Sequence, residues 1–222
     1  MSVTVAETAG FCFGVDRAVN LVYEMIDEGR RVCTLGPIIH NPQVIEDLEN
    51  RGVKIAASPD EVSEGYEVVI RAHGVTREVV SRLNELSLHY TDATCPYVLK
   101  IHNLIKKHSD ENNIILIAGD ESHPEVCGFR SYCRGESFVF NNAEELKELL
   151  KNNAHLEHKE VIFVGQTTFS VKEWKKCAEI IQKVCTNSIS FDTICRATQN
   201  SLALCLVQGA GCLDFSGIVG DV

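Results

Sequence analysis

No CxxC pair occurs anywhere in this chain of 222 residues, although it carries ten cysteines. That absence speaks against a local zinc site and against a thioredoxin-like redox motif, both of which draw thiols from near neighbours. No stretch approaches the roughly 18 apolar residues that a membrane span requires. The opening MSVTVAETAG lacks a basic region followed by an apolar run, the pattern of a secretory leader, so a cytoplasmic protein is expected. Without a leader, the cysteines read as free thiols or as metal and cluster ligands, not as disulfides. Nor is there an excess of positive charge. The formal net charge is -10, with both signs interleaved, which excludes a broad nucleic-acid footprint or an anionic membrane surface as partner and leaves room only for a local phosphate pocket. No low-complexity linker divides the chain.

What is present is an alternation of short β-branched runs with longer segments of helical period, the signature of parallel sheets with crossover helices. The expected class is α/β, built as repeated small parallel-sheet lobes. Strands are expected at Val3–Ala6, Arg31–Thr34, Val53–Ala56, Val68–Ile70, His89–Asp92, Ile114–Ala118, Phe138–Phe140, Val161–Val164 and Ser188–Asp192. Helices are expected at Val15–Glu28, Asn41–Arg51, Arg77–Leu86, Pro96–Ser109, Ala143–Leu150 and Val171–Val184, from apolar spacings of three and four. The pattern runs twice, with a boundary at Cys95 and Pro96. It divides the chain into a first strand and ligand (1–12), a first lobe (13–95), a second lobe (96–190) and a remnant of a third (191–222). The last segment, SLALCLVQGAGCLDFSGIVGDV, has no lysine or arginine and no sustained helical face.

Three cysteines stand where a strand gives way to a loop or helix: Cys12 in AGFCFGVDRA, Cys95 in TDATCPYV and Cys195 in FDTICRATQN. Such positions fall at the carboxyl edge of a parallel sheet, where ligands bind. A thiol there also lies near a helix N-terminus, which favours the thiolate. Three thiolates from separate lobes can meet on one cluster. Buried free cysteine is the alternative reading. Three of the eight histidines share a setting of their own, His40 in GPIIHNP, His73 in IRAHGVT and His123 in DESHPEV. Imidazolium groups and loop N–H groups together suit a diphosphate, although each histidine alone reads equally as a loop or cap residue. The other five are assigned to helical or polar surface settings. Glu125, read as a loop residue, can face the same cavity as a proton donor with a raised pKa or can simply be solvated. Thr167 and Thr168 in VGQTTFS follow a strand, where a hydroxyl relays a proton or caps a helix.

Taken together, AGFCFGVDRAV, GPIIHNPQVIEDL, RAHGV, DATCP, SHPEV, VGQTTFS and DTICRATQN resemble the LytB family of iron–sulfur reductases in order and spacing, over about residues 2–200. The resemblance implies three α/β lobes around a [4Fe–4S] cluster, with Cys12, Cys95 and Cys195 as its ligands. It implies reduction of (E)-4-hydroxy-3-methylbut-2-enyl diphosphate to isopentenyl and dimethylallyl diphosphate in the non-mevalonate isoprenoid pathway, with electrons from a donor such as ferredoxin or flavodoxin. His40, His73 and His123 would hold the diphosphate, while Glu125, with Thr167 beside it, would supply protons. From Ser201 the sequence departs from the family pattern, so most of the third lobe is expected to be missing. Two further readings stay open: a homologue that binds a cluster without turnover, and an α/β protein with structural zinc on the same cysteines.

Overall fold

The computed structural model describes residues 10–197, so the strand expected at Val3–Ala6 and the tail beyond Ser201 lie outside the described residues. Within them the elements run α1 (Phe13–Asp27), β1 (Val32–Leu35), α2 (Pro42–Asn50), β2 (Lys54–Ala56), β3 (Glu67–Ile70), α3 (Arg77–Glu85), β4 (Tyr90–Asp92), α4 (Pro96–His108), β5 (Ile114–Ala118), α5 (Pro124–Ser131), β6 (Glu136–Phe140), α6 (Ala143–Asn152), β7 (Glu160–Gly165), α7 (Val171–Val184) and β8 (Asn187–Ser190). Single 3-10 turns occupy Pro59–Glu61 and Ala154–His158.

The strands form two four-stranded sheets of identical topology, β2-β1-β3-β4 and β6-β5-β7-β8, and every pairing is parallel. Both sheets therefore reverse direction of growth between their two central strands, β1 and β3 in one, β5 and β7 in the other. Loops leaving those strands open the crevice where ligands of open α/β sheets bind.

Two compact units emerge. The first contains residues 10–72 and Leu86–Cys95 with 195–197; the second contains His73–Glu85 and Pro96–Ile194. In the first, α1 turns Ala18, Val22 and Met25 onto Val32 and Val69 of the sheet. In the second, β5 throughout and β7 from Val161 onward are buried and free of charge, as a sheet covered on both faces demands, and Phe163 stacks between Phe140 and Trp174. Asn41 and Asn142 cap α2 and α6, their side chains accepting from Val44 N and from Glu144 N and Glu145 N.

One element departs from the sequence reading. Residues 124–131, read as loop, form α5, with Pro124 at its first position and Glu125, Val126, Gly128 and Phe129 buried. Burying Val126 and Phe129 contributes roughly 1.5–3 kcal/mol each, and the rest of α5 has few apolar residues to betray it. The surface assignment of His102 is also corrected. It is buried on α4 between Phe129 and Tyr132, at ring separations of 5.5 and 4.8 Å.

Candidate active site

Each candidate residue follows a strand or opens a helix. Cys12 is the N-cap residue of α1 and is exposed; its carbonyl accepts from Asp16 N at 2.9 Å, while its side chain makes no cap bond and leaves the sulfur free for another partner. Cys95 lies three residues past β4, and its N–H donates to Ala72 O at 2.9 Å, continuing the β3–β4 ladder beyond the strands. Its sulfur rests against the first turn of α1. A Cβ at Gly14 would overlap Cys95 Sγ, so only glycine lets that turn approach so closely. The N-cap residue Cys12 and the Cys95 sulfur thus share one helix N-terminus. Arg17, a residue the sequence reading passed over inside its own motif, reaches from α1 to Thr94 O at 3.3 Å and Asp92 O at 3.4 Å, pinning the turn that delivers Cys95.

Cys195 is delivered by a matching turn. Asp92 Oδ1 accepts from Thr94 N at 2.9 Å, and Asp192 Oδ1 accepts from Ile194 N at 3.4 Å, in each case one residue before the cysteine. Both Cys95 and Cys195 are half-buried. Four other cysteines differ: burial is the leading cause that raises the pKa of Cys33 and Cys185, and it pushes Cys133 and Cys177 up to about 11. Burial there disfavours the thiolate that a metal requires. Among the described residues no group of three His, Cys, Asp or Glu side chains is assembled closely enough to hold a metal ion. The soft donor set and the Gly14 cradle nonetheless suit thiolate ligation of a cluster.

In the second unit the loops at the β5–β7 switch point converge. Glu125, in the first turn of α5, is 3% exposed and accepts from Thr167 N at 3.0 Å and from Thr167 Oγ1 at 2.8 and 3.0 Å. Burial pushes the Glu125 carboxyl above the usual carboxylate range, against the smaller downward pull of the two Thr167 donors. Gln166 braces the loop, its Oε1 accepting from Asp120 N and its Nε2 donating to Thr168 Oγ1. His123 caps α5 through Nδ1, which accepts from Glu125 N at 3.2 Å. An Nδ1 that accepts leaves Nε2 as the ring's donor position. The His73 ring meets His123 edge to face at 5.5 Å. His40 belongs to the first unit, exposed in the loop after β1 and just ahead of the Asn41 cap.

A model of the LytB protein family matches residues 3–220. The chain belongs to the LytB family. Among LytB relatives, the 4-hydroxy-3-methylbut-2-enyl diphosphate reductase of Thermoanaerobacter sp. (strain X514) is 40% identical over 203 residues, covering 90% of this chain and 68% of the relative. That of Aquifex aeolicus is 38% identical over 202 residues, with 89% and 68% covered. A solved (E)-4-hydroxy-3-methyl-but-2-enyl diphosphate reductase, described as the terminal enzyme of the non-mevalonate pathway, superposes with a TM-score of 0.75 at 38% identity, over 89% of this chain and 69% of its own. The reductase from Plasmodium falciparum gives a TM-score of 0.72 at 29% identity, with 87% and 61% covered. This LytB chain therefore spans about two thirds of the relatives it matches, and shares their α/β fold through that portion.

Proposed function

We propose that this LytB chain carries the chemistry named for its relatives, the reduction of (E)-4-hydroxy-3-methylbut-2-enyl diphosphate in the non-mevalonate isoprenoid pathway. Two electrons and two protons break the C–O bond of the allylic alcohol, releasing water and leaving isopentenyl or dimethylallyl diphosphate. The observation that carries this reading is the buried Glu125–Thr167 pair, a carboxyl whose burial favours the protonated form, bonded to a hydroxyl at 2.8 Å. A neutral carboxylic acid is what a leaving hydroxide needs, and the hydroxyl of Thr167 extends its reach. His123, with its proton on Nε2, and His73 beside it donate to the diphosphate, and His40 supplies a third donor.

Cys12, Cys95 and Cys195 are the ligands proposed for a [4Fe–4S] cluster. When bound, it supplies electrons and a Lewis-acidic iron for the substrate's oxygen. A one-electron carrier such as ferredoxin or flavodoxin is the matching donor, and the cytoplasm the matching compartment. No helix among the described residues is long and apolar enough to cross a membrane.

Anaerobic reconstitution with iron and sulfide, followed by turnover with a reduced viologen, tests the proposal. Viologen oxidation matched by formation of the two C5 diphosphates is expected. A cluster that forms without product would support the homologue that holds a cluster and does not turn over. Zinc in place of iron on elemental analysis would overturn the cluster assignment.

A further inference from the structure

Cys95 and Cys195 leave their sheets by matching Asp-initiated turns, yet the two turns are anchored differently. In the first sheet the backbone ladder runs on past the strand: Ala93 N donates to Ile70 O at 3.0 Å and Cys95 N to Ala72 O at 2.9 Å. In the second, the ladder between backbones reaches Phe191 N, which donates to Phe163 O at 2.9 Å. At the next position a side chain takes over. Thr193 Oγ1 accepts from Gly165 N at 2.8 Å and donates to Gly165 O at 2.7 Å, both bonds buried. A single hydroxyl thus satisfies both polar groups of the last residue of β7, using its donor and an acceptor lone pair at once. The fit leaves no slack. A Cβ at Gly165 would come within 2.9 Å of Ile194 Cδ1 and 3.2 Å of Trp174 Cδ1, so the 193–194 segment lies directly on that glycine.

We propose that Thr193 is a positioning residue that holds the turn leading into Cys195 on the strand end that carries the Thr167 loop, and with it the Thr167–Glu125 pair. The inference rests on the reductase reading above. Gly165 stands two residues before Thr167, which donates to Glu125 through both its N–H and its hydroxyl. Thr193 stands two residues before Cys195. The pair of hydrogen bonds between Thr193 and Gly165 therefore links the turn before the cysteine to the loop that carries Thr167. Without it, two buried backbone groups lose their partner and both segments are released together. Threonine suits this role through its hydroxyl, and serine would retain it; valine matches the shape and cannot bond.

The test compares Thr193→Val, Thr193→Ser and Gly165→Ala in the full chain. On the cluster-free protein, amide exchange at Gly165 and Thr167 and the alkylation rate of Cys195, resolved by mass spectrometry, are measured. Thr193→Val is expected to raise all three by about tenfold or more, because two buried hydrogen bonds are lost. Thr193→Ser should stay within about twofold of the wild type, since both bonds can re-form. Gly165→Ala keeps the hydroxyl but displaces Ile194, so Cys195 alkylation should rise even if Thr193→Val fails to fold. Iron content and the electron paramagnetic resonance signal after reconstitution form the second arm, in which the valine and alanine variants should hold less iron with a broadened signal and the serine variant should match the wild type. Faster exchange at Gly165 with unchanged Thr167 exchange and Cys195 alkylation would overturn the proposal. A wild-type chain that takes up no iron, with the first arm behaving as expected, would overturn the cluster reading while leaving the mechanical link standing.

Discussion

The two sheets share one strand order, and the differences between them lie in what their crevice loops carry. In the first, the histidine after the leading strand precedes the cap: Asn41 takes that role, and His40 is left exposed. In the second there is no intervening asparagine, so His123 is itself the cap of α5 and is drawn into the fold. The loops after β3 and β7 diverge as well, one carrying His73 and the other Thr167 bonded to a buried acid. A single topological device thus presents an exposed histidine in one copy and a buried carboxyl bonded to a threonine in the other. The cysteines fit the same scheme, since Cys95 and Cys195 each follow an Asp-initiated turn beyond the last strand of a sheet.

The largest effect should follow from attacking that shared position. Cys95→Ser and Cys195→Ser, like Cys12→Ser, are each expected to abolish cluster assembly, because a hard hydroxyl replaces a soft thiolate. Cys33→Ser should leave it intact. Visible absorbance after anaerobic reconstitution reads this out, and bleaching by Cys33→Ser would break the assignment.

Next in size is the residue that distinguishes the second crevice. Glu125→Gln keeps shape and hydrogen-bonding capacity but removes the acidic proton, so kcat should fall about 10²- to 10⁴-fold with KM little changed. Unchanged turnover would take Glu125 out of the mechanism. The two histidines come after it. His123→Ala should raise KM about tenfold or more, the cost of a donor to a charged group, and should also destabilise the fold by about 1 kcal/mol through loss of the α5 cap. His40→Ala should affect binding alone, because Asn41 holds its helix. Substrate titration combined with urea unfolding separates the two, and equal loss of stability would erase the distinction drawn between the crevices.

A smaller effect concerns pH. Glu125 has a raised pKa in the folded chain, so the fold favours its protonated form. The associated stability is complete below the ordinary glutamate value, about 4.3, and is lost as pH rises through the higher folded value. Glu125→Gln should flatten that limb of the stability profile in denaturant titrations from pH 4 to 8. A mutant profile parallel to the wild type would place the titration elsewhere.

Much of this arrangement is legible in the sequence, and the exceptions have physical causes. The central strands of the second sheet, β5 and β7, announce themselves because burial on both faces requires apolar runs such as IILIA. Helix α5 does not. Its eight residues include Pro124 and Gly128, and a buried position that would ordinarily show an apolar residue holds Glu125. The same substitution of acid for hydrocarbon that hides the helix places the carboxyl proposed as proton source. β8 was expected to run to Asp192, yet it ends at Ser190, because beyond Phe191 a threonine side chain does what backbone pairing does in the first sheet. Periodicity cannot reveal a hydroxyl acting as a strand. Nor could the motif AGFCFGVDRA show that its second glycine clears space for a sulfur that arrives from residue 95.

The His123 ring has only two nitrogens, and the fold has committed one of them. With Nδ1 engaged by the Glu125 N–H, a second proton on that ring would set donor against donor at the opening of α5. Acidification would therefore do more than add charge to an anion site. It would loosen the first turn of α5 and, with it, the position of Glu125. On the function proposed above, substrate capture and proton delivery would part company on the acidic side, with a chain that grips its ligand well and reduces it poorly.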